Sequence, residues 1–139
     1  MRITLFLIIL VLGCSCNSKK TEDLNLSESF TDFKAFYYEF HRDSVFQMAH
    51  ITFPLEGVPD NAGSRPDYDG NFRWTAENWV MNKPIDLEAT GFKRDLSTLG
   101  ETLIIERLTD PTGGYGMERR FAKSGEGWRL IYYQGLNPM

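Results

Sequence analysis

The side chain best placed to do chemistry is His41. At 100° per residue it lies about 20° from Phe30 on a helical wheel, beside the line of Phe30 and Tyr37. Facing a cavity, with Tyr37 or Asp43 as neighbour, its imidazole could act as an acid or base. The competing reading is an inert, hydrogen-bonded histidine at the edge of a packed stripe. A lone histidine without a partner motif favours that second reading. His50 follows His41 by nine residues, which is no zinc spacing, and reads as a surface residue ahead of a strand. Asp67-Tyr68-Asp69-Gly70-Asn71 opens like an oxygen-rich calcium loop. Its twelfth position, which must be glutamate, is Asn78, so it reads as a solvated turn. The segment from Asp110 to Gly116 has three glycines but lacks the Lys-Ser/Thr ending and the following helix of a phosphate loop. It reads as a hairpin turn. There is no Gly-x-Ser-x-Gly elbow, and local spacing pairs no two carboxylates. No metal and no cofactor are expected. Trp74, Trp79 and Trp128, with Tyr37, Tyr132 and Tyr133, could line an apolar pocket for a ligand; core packing is the default use of such rings.

These side chains need elements to hold them. Phe30, Phe33, Phe36, Tyr37 and Phe40 recur at helical spacing and predict a helix over residues 29–41. Ser27 or Ser29 would cap it, and Asp32 suits its first turn. Residues 43–48 add a short second turn. Residues 51–55 read as a strand ended by Glu56-Gly57 and Pro59, and Pro54 suggests a sheet edge or strand end. Residues 60–71 are a loop, and residues 72–74 a strand. Thr75 would cap a short turn over residues 76–81 that carries Trp79. Residues 83–98 stay unassigned, because Pro84 and Gly91 argue against a long helix. Residues 102–108, 115–122 and 128–134 are strands joined by polar turns, an antiparallel meander. In the last strand Trp128, Leu130 and Tyr132 would share one face, and Arg129, Ile131 and Tyr133 the other. One face would pack on the helix and the other meet a second layer or a partner.

Thiol chemistry is confined to Cys14 and Cys16. Arg2 precedes a ten-residue apolar run, residues 3–12, followed by Gly13 and Cys14. That is the layout of a secretory signal, too short for a bilayer, which takes about 20 residues. Val11-Leu12-Gly13-Cys14 resembles the lipobox of bacterial lipoproteins, which implies cleavage before Cys14 and lipid attachment to its sulfur. Cys16 is the other acceptor, but Cys14-Ser15 ahead of it fits the motif less well. The expected organisation is a signal peptide at 1–13, a lipidated cysteine with a polar tether at 14–26, and one domain at 27–139. A domain without cysteine excludes thiolate metal sites, cysteine nucleophiles and disulfides. Such a domain is long enough to bury a core, and 19 aromatic residues make that feasible without staples. The whole chain carries a formal charge of −4, so nucleic acid is not expected as a partner.

A family resemblance enters on particular residues. Phe33-Lys34-Ala35-Phe36-Tyr37-Tyr38-Glu39-Phe40 runs into Asp43-Ser44-Val45-Phe46-Gln47-Met48, then Ile51-Thr52-Phe53-Pro54-Leu55. With the lipobox and Gly127-Trp128-Arg129-Leu130, the chain resembles a family of uncharacterised Bacteroidetes lipoproteins, a domain of unknown function. The resemblance implies a fold like nuclear transport factor 2, with an N-terminal helix packed on a bent antiparallel sheet to make an α+β cone. It implies no activity and no catalytic residues. The function expected is a lipid-anchored protein of the cell envelope, held to the membrane through Cys14. Its domain would be a non-enzymatic module for a small apolar ligand or an envelope protein. The alternatives are a small cavity enzyme of isomerase, dehydratase or hydrolase type using His41, or an assembly domain that forms homodimers.

Overall fold

The computed structural model describes residues 26–27 and 30–139; the signal, Cys14 and Ser29 lie outside the described residues. The first helix, α1 (Thr31–Arg42), starts at Phe30, which takes the N-cap position without a side-chain hydrogen bond. Asp32 Oδ1 accepts from the Phe33 amide instead (2.9 Å). Asp43 both ends α1 and begins α2 (Ser44–Ala49). Its amide donates to Glu39 O, and its carboxylate accepts from the amides of Val45 and Phe46. An extended residue with a short acceptor side chain suits both tasks.

A bent six-stranded sheet follows, ordered β2-β1-β6-β5-β4-β3. Its strands are β1 (Ile51–Val58), β2 (Arg73–Trp74), β3 (Lys93–Leu99), β4 (Leu103–Thr109), β5 (Tyr115–Ser124) and β6 (Gly127–Pro138). The meander therefore has four strands, not three. β3 was hidden because it is an edge strand with mixed, half-exposed faces and so lacks a clean alternation. A one-turn helix, α3 (Leu87–Thr90), capped by Asp86, precedes it. β1 runs parallel to β6 and pairs antiparallel with β2 only at Leu55 and Glu56, so Pro54 has no partner strand on the β2 side, as at a sheet edge. The ladder accommodates Pro54 with a cis Phe53–Pro54 peptide and a register shift between Ile51 and Glu56. Residues 76–81 hold one turn and no helix, tied by reciprocal bonds between Thr75 and Asn78.

The faces of β6 also differ from strict alternation. Arg120 pairs with Tyr132 and Phe121 with Leu130, so Ile131 is the extra residue of a bulge. One extra residue exchanges the faces of everything after it. Trp128 and Leu130 point into the core before the bulge, and Tyr133 does so after it. α1 lays Phe33, Phe36, Tyr37 and Phe40 on that inner face. Phe33 meets Trp128 and Phe121 edge-on, with ring centres 5.0 and 5.4 Å apart, and Phe40 meets Phe121 at 5.6 Å.

Gly57 lies opposite Tyr133. A β-carbon there would come within 1.9 Å of Tyr133 O and 2.9 Å of Trp74 Nε1, the two atoms joined by the Trp74 indole bond (3.0 Å). Gly57→Ala is expected to break that bond and cost about 1–3 kcal/mol, read as a lower urea midpoint.

Candidate functional site

Charged residues are rarely buried without partners, yet β4 and β5 each turn one into the core. Glu106 shares its inward face with Ile104 and Leu108, and Arg119 shares its own with Phe121. The register places Glu106 directly opposite Arg119. The two are 1% and 2% exposed. Arg119 Nη1 donates to Glu106 Oε2 (2.9 Å), and the Tyr37 hydroxyl donates to Oε1 (2.6 Å). Arg94 of β3 brings its Nε to 3.1 Å from the same Oε1. Both carboxylate oxygens are thus engaged, by groups from α1, β3 and β5. Burial pushes Glu106 upward, but Arg119, the Tyr37 hydroxyl and Arg94 outweigh it, and its pKa is lowered. Burial, then the Glu106 charge, raises Tyr37, so the phenol stays protonated.

His41, one turn beyond Tyr37, points inward and is 3% exposed. Its Nε2 lies 3.2 Å from Arg119 Nη1 and its Nδ1 2.9 Å from Tyr37 O. A guanidinium has only donors, so Nε2 accepts and Nδ1–H donates to the carbonyl: the imidazole is neutral. Burial, and then the Arg119 charge, lower its pKa to about 4. An unfolded histidine titrates near 6.5, so between these values the unfolded chain binds more protons. Stability from neutral His41 is therefore full above pH 6.5 and is lost as pH falls towards 4. The expected loss is on the order of 3 kcal/mol, read as urea midpoints across that window. A His41→Asn variant should lack that slope.

A small cavity of about 210 Å³, partly open to solvent, adjoins the cluster. Trp74, Tyr133, Met117 and Ile85 line its apolar part, and Asn82, Arg119, Lys83 and Asp60 its polar part. The loop carrying Asn82 is pinned by Gln47 of α2, which is wholly buried. Gln47 Nε2 donates to Phe40 O (2.6 Å) and Asn82 O (2.8 Å). Its Oε1 accepts from Trp79 Nε1 (3.0 Å) and the Asn82 amide (2.9 Å). Asn82 Oδ1 in turn accepts from Arg119 Nη2 (3.2 Å).

The rings singled out in the sequence separate into different places. Trp74 and Tyr133 line the cavity, and Trp79 stands edge-on to both at 5.7 and 5.3 Å. Trp128 packs on Phe30 and Phe33, its indole donating to Asp32 (3.2 Å). Tyr132 lies against the Arg120 guanidinium at 4.2 Å. Tyr37 and His41 belong to the buried cluster. Glu106, Arg119, Asn82 and Gln47 were not singled out. A charge at an inward strand position, as in Ile104-x-Glu106-x-Leu108, is the pattern that marks the first of them. Among the described residues, no acidic, histidine or cysteine group is arranged to hold a metal, and no helix is long and apolar enough to cross a membrane.

Fold and site together describe an α+β domain in which a helix packs on a bent sheet over a buried polar cluster. The chain matches no family model and no curated protein. Among solved structures it is similar to an NTF2-like protein from Bacteroides fragilis, at 21% identity and a TM-score of 0.48 over 81% of this chain. The match covers 48% of that protein, so the chain spans about half its length. It is also similar to a protein of unknown function from the DUF3225 family of Pectobacterium atrosepticum. There the identity is 12% and the TM-score 0.45, over 83% of this chain and 94% of the other. These likenesses concern the fold.

Proposed function

We propose that this protein is a lipid-anchored component of a bacterial envelope, of the kind its resemblance to uncharacterised Bacteroidetes lipoproteins implies, and that its domain is a non-enzymatic binding module. The observation that carries the binding reading is the cavity beside Asn82 and Arg119, where aromatic walls meet a few fixed polar groups. The anchor rests on residues 1–16. The neighbouring cluster is suited to structure rather than proton transfer. Glu106 has partners on both oxygens, and His41 has its lone pair engaged by Arg119 and a pKa near 4. Neither is poised near neutrality, where a general base works best.

A melting screen of the chain against envelope metabolites, sugars and lipids tests the module. A ligand at a hundred times its dissociation constant adds about 2.7 kcal/mol, several degrees in a domain of this size. A flat screen removes the small-ligand version and turns the search to protein partners. For the anchor, Cys14→Ser should abolish lipid labelling; unchanged labelling refutes the site.

The second reading, a cavity enzyme using His41, draws on that side chain pointing inward to hydrogen-bond distance of Arg119. An activity found in any screen and left intact in His41→Ala would remove it.

A further inference from the structure

The cavity borders donors that the described residues leave unanswered. Asn82 Nδ2 and Arg119 Nε are buried and have no hydrogen-bond partner. Both side chains are more than nine-tenths buried, at 9% and 2% exposure, and both line the cavity. The bond from Arg119 Nη2 to Asn82 Oδ1 fixes the amide's oxygen towards the guanidinium and turns its NH₂ away. The other neighbour of Nη2 is the thioether of Met117 at 3.9 Å, a weak acceptor. The site thus holds two N–H donors without a partner, whereas buried polar groups in folded proteins are nearly always paired.

Charge points the same way. Arg119 and Lys83 are the cations of the lining, and the Glu106 charge opposite Arg119 is shared with a second guanidinium, that of Arg94. Asp60 is the single carboxylate among the lining residues, and its Oδ1 already accepts from the Leu136 amide (2.6 Å). His41 is neutral and adds nothing. Trp74, Tyr133, Ile85 and Met81 give the lining its apolar share. The volume, about 210 Å³, is below the roughly 300–1,000 Å³ of drug-sized sites and suits a metabolite-sized molecule.

We infer that the cavity receives a small organic anion, a carboxylate on a short apolar or aromatic body. Its oxygens accept from Asn82 Nδ2 and from Arg119, and its body lies against Trp74 and Tyr133. Both donors are shielded from solvent, and the ligand reaches them by displacing the flexible side chain of Met117, which lies against Arg119 Nη2. A charged acceptor in place of a thioether makes the stronger, charge-assisted bond. This inference rests on the binding-module reading and names its ligand class.

Calorimetric titration of the full chain, purified in mild detergent, tests it with three probes: phenylacetate, hexanoate and the neutral isostere phenylacetamide. At least one carboxylate should bind about tenfold or more tighter than the amide. Asn82→Asp keeps the Oδ1 acceptor for Arg119 but replaces the NH₂ donor with negative charge. It should weaken the carboxylates by about tenfold or more, with the melting midpoint held or raised. Phenylacetamide binding as tightly as phenylacetate, or a folded Asn82→Asp variant with unchanged carboxylate affinity, overturns the anion class and leaves the cavity as a binding site. No heat from any probe at about 10 mM overturns the anion class and the small-ligand version together. The comparison of carboxylate with amide on the unaltered chain decides the question even where the variant does not fold.

Discussion

Glu106→Gln is expected to lower the unfolding free energy by about 3–5 kcal/mol, because it leaves buried guanidiniums facing a neutral amide. Arg119, almost wholly buried, loses the charge directly opposite it, and Arg94 loses its ion pair at Oε1. The new NH₂ faces either Arg119 or the Tyr37 hydroxyl, both of them donors, so one hydrogen bond is lost along with the charge. The measurement is urea unfolding followed by tryptophan fluorescence. A loss under about 1 kcal/mol would mean that the pair is compensated elsewhere. A double variant, Glu106→Leu with Arg119→Met, should be less damaging than the two single losses added, since apolar replacement of a buried pair is often near neutral. The acid limb follows from the lowered pKa of Glu106. Its contribution is complete above the ordinary carboxylate range near 4.3 and is lost as pH falls through the lower folded value. Acid therefore lowers stability through two windows, that of His41 beginning near pH 6.5 and that of Glu106 beginning near 4.3.

Gln47→Ala is expected to be comparably severe, about 3–5 kcal/mol. All four hydrogen-bonding positions of this amide are filled inside the protein. Truncation orphans the Phe40 and Asn82 carbonyls, the Asn82 amide and the Trp79 indole. It also releases the loop that holds Asn82 against Arg119, so amide exchange at Asn82 should quicken more than exchange in β5. Gln47→Glu separates the two halves of the role. A carboxylate can still accept from Trp79 and the Asn82 amide but meets two carbonyls that it cannot donate to. It should cost nearly as much as alanine. A tolerated Gln47→Glu would show that the carbonyl contacts matter little.

The aromatic stripe of α1 was legible because one face of a helix repeats every three to four residues and nothing interrupts it. The 110–114 turn was legible for a similar reason: short acceptor side chains act within a few residues of themselves. The cluster was not. Glu106 and Arg119 are thirteen residues apart and meet only because the β4–β5 register sets them opposite, while Asn82 reaches them from a loop with no periodic signal. Gln47 stood in plain view within Phe46-Gln47-Met48, but its four partners lie up to thirty-five residues away. The bulge at Ile131 inverted the inner face of β6, so Tyr133 rather than Tyr132 reached the cavity. A bulge has no local signature where the inserted residue is as apolar as its neighbours.

The place of β6 at the middle of the sheet has a consequence for how the protein comes into being. This strand is synthesised after the five others, yet it is the partner of both β1 and β5. A nascent chain that has emerged only through β5 holds the meander β3-β4-β5 and the β1-β2 pair as two fragments with no shared ladder. Folding of the whole must wait until residues 127–138 are free, so assembly follows synthesis instead of accompanying it. The contacts that close the sheet are also its most distant in sequence, which slows that step. Until then the aromatic face of α1 can meet Phe121 of β5 but lacks Trp128, Leu130 and Tyr133, so the core it belongs to is closed by the last strand to be made.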